Sequence, residues 1–407
     1  MMQAIEIEGA EVILPGGIER VSVRIEGGQI TGLDVAREGA RVIDATGCLL
    51  APALVDIHGD AFERQLMPRP GVFFPVETAL LETDRQLAGN GIATAFHALT
   101  LSWEPGLRSV AHGRQITEAL AALAPRFAVE NRVQLRWETF CFEAIPLIEQ
   151  MLAGPLTPSV AFNDHTTMGL LSPEVPLQER PFDQVPDYPI TDMHSAAFAK
   201  KMEKRAARAD IPVAEFVALM RDTWAKRDEV PAAIARVAEA ARAAGASMLS
   251  HDDTQVETRA YYRDLGSRVS EFPMNLRTAE AARAAGDHII FGAPNVLRGG
   301  SHIGSPGAAE MVSAGLCDIL ASDYYYPAML AAVARLHAEG RGALQDLWKL
   351  VSTNPARASN LPDRGEIAPG QRADLVLLDW PEGAAPQVLM TLSAGRVAHG
   401  VGRFGAV

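Results

Sequence analysis

Lysine is scarce in this sequence. Only five occur, Lys200, Lys201, Lys204, Lys226 and Lys349, all in helix-like surroundings. None ends a candidate strand, which argues against a Schiff-base lysine or a carboxylated lysine shared by two metal ions. Cysteine is rarer still. Cys48, Cys141 and Cys317 show no metal or redox spacing, and their odd number favours buried thiols in a reducing compartment. Basic charge is also in deficit: 37 Lys and Arg against 50 Asp and Glu leave a net charge of −13, with a pI near 5.3. That balance argues against nucleic acid or an anionic membrane as partner. It leaves an anionic small molecule admissible, because a metal ion or a few arginines can reverse the field inside one cleft. No apolar run is long enough to cross a bilayer, and Met1-Met-Gln-Ala-Ile-Glu6 has no basic region ahead of an apolar one. The expectation is a cytoplasmic protein acting on a small molecule, with homo-oligomer formation left open.

What remains is an ordinary globular composition, 48% hydrophobic and 21% charged over 407 residues. That length calls for one large barrel or two domains. Residues 1–50 read as short β segments, Ala4–Ile7, Glu11–Leu14, Val21–Ile25, Gln29–Leu33 and Arg41–Ile43. Pro15-Gly-Gly17, Gly27-Gly28 and Thr46-Gly47 separate them. Asp374–Asp379 and Val388–Leu392 repeat the style near the C-terminus. The two ends, 1–50 and 361–407, are expected to pair into one small β-sandwich, with residues 51–360 inserted between its halves.

Within 51–360 apolar segments alternate with Ala/Glu/Arg-rich helices such as Pro231–Ala244, closed by Gly245. Eight strands are expected near 54–58, 92–98, 132–140, 158–163, 246–250, 268–272, 287–292 and 317–322. Eight such units point to an α/β fold, a TIM-like (β/α)₈ barrel whose chemistry sits at the C-terminal ends of its strands.

Those ends are rich in acids and imidazoles. Leu54-Val-Asp-Ile-His-Gly-Asp60 places His58 and Asp60 two apart, so both side chains leave one face of the strand end and can converge on one ion. Gly59 offers no side chain to block that approach. A mixed N/O pair suits a divalent Zn, Mn or Fe ion. The third strand ends in Arg136-Trp-Glu138, the fourth in Asn163-Asp-His165 and the fifth in Ser250-His-Asp-Asp253. The sixth carries Glu271, and the eighth ends in Ala321-Ser-Asp323. His58, Asp60, Glu138, His165, His251 and Asp323 are therefore expected at one mouth. His97, in an apolar run, reads as structural, as do His112, His288, His337 and His399; His194 is undecided.

After the seventh strand comes Gly292-Ala-Pro-Asn-Val-Leu-Arg-Gly-Gly-Ser-His-Ile-Gly304. Its glycines allow backbone N–H groups to face one point, an anion nest. Asn295, Arg298, Gly299, Gly300, Ser301 and His302 are the candidate phosphate-binding residues there. Arg64 and Arg69, in the loop after the first strand, are further candidates for a polyanion. Arg69 sits between two prolines on a stiff backbone.

At this point the chain resembles the amidohydrolase superfamily and, within it, the PhnM family of phosphonate metabolism. The resemblance rests on His58-Gly-Asp60, Pro68-Arg-Pro-Gly-Val72, Asp164-His-Thr166, Ser250-His-Asp-Asp253, Glu271-Phe-Pro273, Gly292-Ala-Pro-Asn295, Arg298-Gly-Gly-Ser-His302 and Ser322-Asp-Tyr324. These run in order through 51–360. Thr167-Met-Gly169, Ile303-Gly-Ser305 and Tyr324-Tyr-Tyr326 depart from the family pattern, and a long Pro- and acid-rich segment follows from Leu170 to about Asp192. All fall in loops expected to line the substrate site.

The resemblance implies a metal-dependent hydrolase with a barrel and a split β-sandwich. It implies cleavage of α-D-ribose 1-methylphosphonate 5-triphosphate, or a close analogue, to the 5-phosphate and pyrophosphate. A binuclear centre is then expected, zinc first, with manganese or iron as alternatives. His58 and Asp60 would hold one ion and His165 and His251 the other, with Glu138 between them where relatives use a modified lysine. Asp323 would contact one ion and serve as general base. Asp164, Asp252 or Glu271 could replace one of these ligands. The alternative is a metal-dependent amidohydrolase acting on a C–N bond, a deaminase or cyclic amidase, since fold does not fix reaction.

Overall fold

Parallel strands covered on both faces are apolar along their whole length, and the segment Ile92–Leu101 is buried at all ten positions. It is one of eight strands in the central sheet: β1 (Leu54–Gly59), β2 (Ile92–Leu101), β3 (Glu130–Glu138), β4 (Ser159–Asn163), β5 (Met248–His251), β6 (Val269–Glu271), β7 (His288–Gly292) and β8 (Ile319–Ala321). The computed structural model describes residues 3–35, 39–301 and 304–405. The eight strands follow one another in chain order, each parallel to the next, and each expected segment overlaps one of them.

The sheet comes round on itself where β8 meets β1. Asp323 N–H donates to the His58 carbonyl at 2.9 Å, and Asp60 N–H donates to the Asp323 carbonyl at 2.8 Å. Asp56 reinforces this seam, accepting from Ser322 N at 3.0 Å and from Ser322 Oγ at 2.5 Å. Val55, Ile57, Phe96, Ala161, Leu249, Val269, Ile290, Ile319 and Ala321 fill the barrel interior, the packed core such a barrel requires. Helices between strands are capped as their sequences indicate. Ser109 Oγ accepts from His112 N at the start of Val110–Leu123, and Gly245, at φ +66°, follows helix Val230–Ala243.

The two ends of the chain share a sheet. Strand Leu49–Pro52 pairs antiparallel with Leu375–Asp379 and parallel with Glu11–Leu14. Hairpins to Gly17–Arg20 and, through Gln387–Ser393, to Arg396–Gly400 complete six strands. A four-stranded sheet of Ile5–Glu8, Val23–Glu26, Gln29–Leu33 and Arg41–Asp44 shares a core with it, including Ile7, Val12, Ile25, Leu50, Leu375 and Leu392. Three of these strands depart from expectation. Pro15 and Gly16 form a hairpin turn that leads straight into a strand opening at Gly17. Ala394 and Gly395, both at positive φ, make a two-residue turn of a different kind before Arg396–Gly400. Leu49–Pro52 lies at the edge of the expected barrel segment but pairs with the terminal strands. Glu130, at the start of β3, accepts from Arg372 and forms an ion pair with Arg364, both of the C-terminal segment, tying that segment to the barrel.

Candidate metal centre

Three positions at the mouth have left-handed backbone although none is glycine: Asp252, Phe272 and Asp323, with φ of 57°, 55° and 54°. They follow β5, β6 and β8. Such conformations cost free energy and concentrate at functional sites. Here they turn the chain sharply at the top of the barrel.

Among the described residues three sets of three possible donors form there, one of them, His58, His251 and Glu271, being two imidazoles on a shared carboxylate. In the other two, His58, Asp60 and Asp323 each offer one ligand atom within 4.8 Å of the others, and so do His165, His251 and Asp252. In the last of these Asp252 Oδ2 lies 3.8 Å from His165 Nε2 and 3.4 Å from His251 Nε2. Behind the donors stand two buried carboxylates. Glu271 accepts from His58 Nδ1 at 2.9 Å, from His251 Nδ1 at 2.7 Å and from Gln134 Nε2 at 2.7 Å. Glu138 accepts from His165 through both the ring Nδ1 and the backbone N–H. All three histidines thus place Nδ1 on a carboxylate, which makes Nε2 the atom that would bind an ion, although at His251 that nitrogen accepts from Arg136 here. Carboxylate-oriented imidazoles are the usual support of metal ligands, so the donor chemistry fits divalent cations.

The electrostatics follow from burial. Desolvation opposes ionisation of Glu271, yet the His58 and His251 imidazoles hold its carboxyl well below the usual carboxylate range. Desolvation likewise opposes ionisation of Glu138, yet His165 holds it down to about 2. Asp323 goes the other way. Burial, and then the Asp60 carboxylate beside it, push it up to about 6. The Arg136 guanidinium sits between the two donor sets, 2.9 Å from His251 Nε2 and 3.6 Å from Asp60 Oδ2, held by Nε–H donation to Asn163 Oδ1.

The expected residues are thus distributed as follows. His58, Asp60, His165, His251 and Asp323 meet at the mouth, and Asp252, left open as an alternative, joins them. Glu138, expected to bridge two ions, has both oxygens on His165. Its position two residues after Arg136 on β3 puts both side chains on one face, and Arg136 is the one that faces both donor sets. Gly59 serves a purpose not anticipated: a Cβ there would come within 2.6 Å of Asp56 Oδ2 and 2.9 Å of Ser322 Oγ, so its bareness lets the barrel seam close.

Two cavities adjoin the centre and share Asp60 and Arg136. One, of about 140 Å³, is lined by His58, His251, Asp323, Asn295, Ser301 and Ser305 among others. The other, of about 430 Å³, is lined by Glu138, His165, Glu104, Arg108, Lys201, Arg205 and Arg208 among others. Asn295 and Ser301 of the expected anion nest therefore face the small cavity. Arg298 is exposed at the end of the short helix Ala293–Arg298, followed by Gly299 and Gly300 at positive φ. His302 lies outside the described residues. Arg64 and Arg69 are exposed, Arg64 donating to the Tyr324 carbonyl, and with Arg298 they stand outside the walls of both cavities. The cations that do line the large cavity were not singled out in the sequence. Lys201, Arg205 and Arg208 were legible as one helical face by their spacing. His97 is buried on Asn131, as expected of a structural histidine, and His194 is exposed beside Arg221.

Known proteins share this fold. The molinate hydrolase structure superposes with a TM-score of 0.60 at 14% identity, covering 98% of this chain and 95% of that one. The β-aspartyl dipeptidase of Fervidobacterium islandicum AW-1 gives 0.60 at 14% identity, covering 99% and 98%. In sequence, the α-D-ribose 1-methylphosphonate 5-triphosphate diphosphatase of Escherichia coli K12 is 30% identical over 377 residues, 91% of this chain and 94% of that protein. Adenine deaminase of Brucella anthropi is 51% identical over 51 residues, 12% of this chain and 9% of that enzyme. The family model described as Amidohydrolase family matches residues 76–399. The chain is an enzyme of the amidohydrolase family, a barrel hydrolase whose relatives are metal-dependent.

Proposed function

We propose that this hydrolase cleaves α-D-ribose 1-methylphosphonate 5-triphosphate, or a close analogue, adding water across one phosphoric anhydride to leave the 5-phosphate and pyrophosphate. The observation that carries this reading is the 30% identity to the Escherichia coli diphosphatase along nearly the full length of both chains. The cationic wall of the large cavity supports it, because a protein of net charge −13 gathers Arg108, Arg136, Lys201, Arg205 and Arg208 beside the donor sets. Divalent cations held by His58, Asp60 and Asp323 and by His165, His251 and Asp252 would supply Lewis acidity and make water acidic enough to ionise near neutral pH.

The chain's own groups supply the rest. Glu271 and Glu138 fix the ring orientation of the three histidines. Asp323, at the junction of the candidate ligands, accepts the proton of the attacking water and returns it to the leaving phosphoryl oxygen. Arg136, fixed by Asn163, directs its guanidinium at the junction of the cavities, where negative charge accumulates on the phosphoryl oxygens as the anhydride breaks.

A C–N hydrolase is the second reading. The 51-residue match to adenine deaminase favours it, but an amidase has no use for five cations beside its centre. The deciding experiment gives zinc- or manganese-loaded enzyme the phosphonate triphosphate, nucleoside triphosphates, adenine and cyclic amides. Pyrophosphate is assayed separately from ammonia and amine. Pyrophosphate from the phosphonate triphosphate supports the first reading; turnover of an amide or adenine alone replaces it with the second.

A further inference from the structure

The excursion between β4 and β5 contains helix Ala196–Ala209, which packs with Val213–Trp224 around a small core of its own, including Leu170, Phe198, Met202, Phe216 and Met220. Lys201, Arg205 and Arg208 project from this helix into the large cavity opposite Arg108 and Arg136. Three acids line the same wall, Asp60, Glu104 and Glu138, so positive charge is in excess.

These cations are positioned, not loose. Arg205 lies over the Phe216 and Trp103 rings, 5.5 and 5.9 Å from their centroids, and donates to the His165 carbonyl at 3.2 Å. It reaches that point by crossing Gly169, where a Cβ would stand 2.2 Å from Arg205 Nη1. Glu104 is buried and receives both Arg205 and Arg208, which anchors the two guanidinium groups. Arg108 is held by Glu63 at 3.0 and 2.9 Å. A guanidinium carries five N–H donors, so anchoring by a carboxylate leaves others for a ligand. Lys201 donates to the Leu171 carbonyl at 2.9 Å and has two further N–H groups. Burial and the neighbouring Arg205 guanidinium lower its pKa, as expected where cations crowd together.

The two cavities differ in chemistry. The small one mixes donors and acceptors, Asn295, Ser301, Ser305 and Asp252, as sugar hydroxyls require. In the large one the oxygens of Glu104 are taken by arginines, and the remaining charged groups are mostly donors. Resting on the diphosphatase reading, we propose that the large cavity is the subsite for the leaving diphosphate, with Arg108, Lys201, Arg205 and Arg208 on its phosphoryl oxygens and the sugar on the other side of Arg136. Gly169 is then a positioning residue, acting through Arg205.

The test is calorimetric titration of metal-loaded enzyme with inorganic pyrophosphate and, separately, ribose 5-phosphate. Lys201→Gln and Arg208→Gln are each expected to weaken pyrophosphate binding about tenfold, the effect of losing one charge-assisted hydrogen bond, and to leave ribose 5-phosphate affinity at the wild-type value. Lys201 does not contact Glu104, and Arg208→Gln leaves Glu104 its Arg205 partner, so both variants should melt near wild type. Gly169→Ala is expected to weaken pyrophosphate binding without removing a charge. Wild-type pyrophosphate affinity in both glutamine variants, or none in the wild type, overturns the subsite. Loss of pyrophosphate affinity in the variants, in an enzyme that hydrolyses only C–N bonds, keeps an anion subsite and removes the diphosphatase reading. Pyrophosphate release by the wild type with affinity unmoved in the variants does the reverse.

Discussion

Glu271 and His58 are 213 residues apart in the chain, and a carboxylate oxygen of one lies 2.9 Å from Nδ1 of the other. The other carboxylate oxygen receives His251 Nδ1. One side chain from β6 therefore orients a ligand from each donor set. Its ionised carboxylate can only accept, which puts the proton on Nδ1 of both rings and makes each Nε2 the lone-pair atom that would bind a metal ion, in place of Arg136 at His251.

Glu271→Gln tests that role. The amide keeps the shape but cannot accept from both rings through two oxygens. Metal affinity should fall about 10- to 100-fold, the usual cost of losing an outer partner, measured by competition with a chelator. Unchanged affinity would mean the rings are held by packing against Phe272, which lies edge-on to both.

Asp323→Asn separates proton transfer from metal binding. Turnover should drop about a hundredfold or more, while metal content, read by elemental analysis, falls much less. Equal loss of both would make Asp323 a ligand only.

Gly59→Ala probes the barrel seam. The added methyl must displace Asp56 or Ser322, and overpacking of this kind costs about 1–3 kcal/mol. A lower urea midpoint is expected, smaller in an Asp56→Asn background because the seam is already weakened there.

His97 predicts an acid-side loss of stability. Burial holds it down to about 4 from an ordinary 6.5. Above pH 6.5 the ring is neutral in both folded and unfolded chains and contributes nothing. Between 6.5 and 4 the unfolded chain binds the proton and the folded one does not, so stability falls with pH. The shift corresponds to about 3 kcal/mol once pH reaches 4. Urea midpoints of wild type and His97→Gln should converge as pH is lowered through that window, and parallel curves would refute the assignment.

The barrel was legible because its strands are buried on both faces and so appear as apolar runs between amphipathic helices. The donors were legible because a (β/α)₈ barrel directs chemistry to its strand ends, and His58, Asp60, His165, His251 and Asp323 are written there. The residues proposed to bind phosphate were less so. Arg64, Arg69 and Arg298 follow strands and have the right charge, but their loops turn them outward. Lys201, Arg205 and Arg208 lie in a helix that reads as an ordinary charged surface until its fold over the mouth is known.

The sequence by itself determined the order of strands, the residue types at their ends and the scarcity of lysine that leaves imidazoles and carboxylates as the candidate metal ligands. Periodicity and turn residues are local properties, so they survive in one dimension. Only the tertiary structure decided that Glu271 serves two histidines, that Glu138 belongs to His165, that Arg136 stands between the donor sets, and that a distant helix supplies three of the cations of the large cavity. Each of these depends on the angle at which non-adjacent elements meet once the barrel closes, and a hydrogen bond is made or lost over less than an ångström.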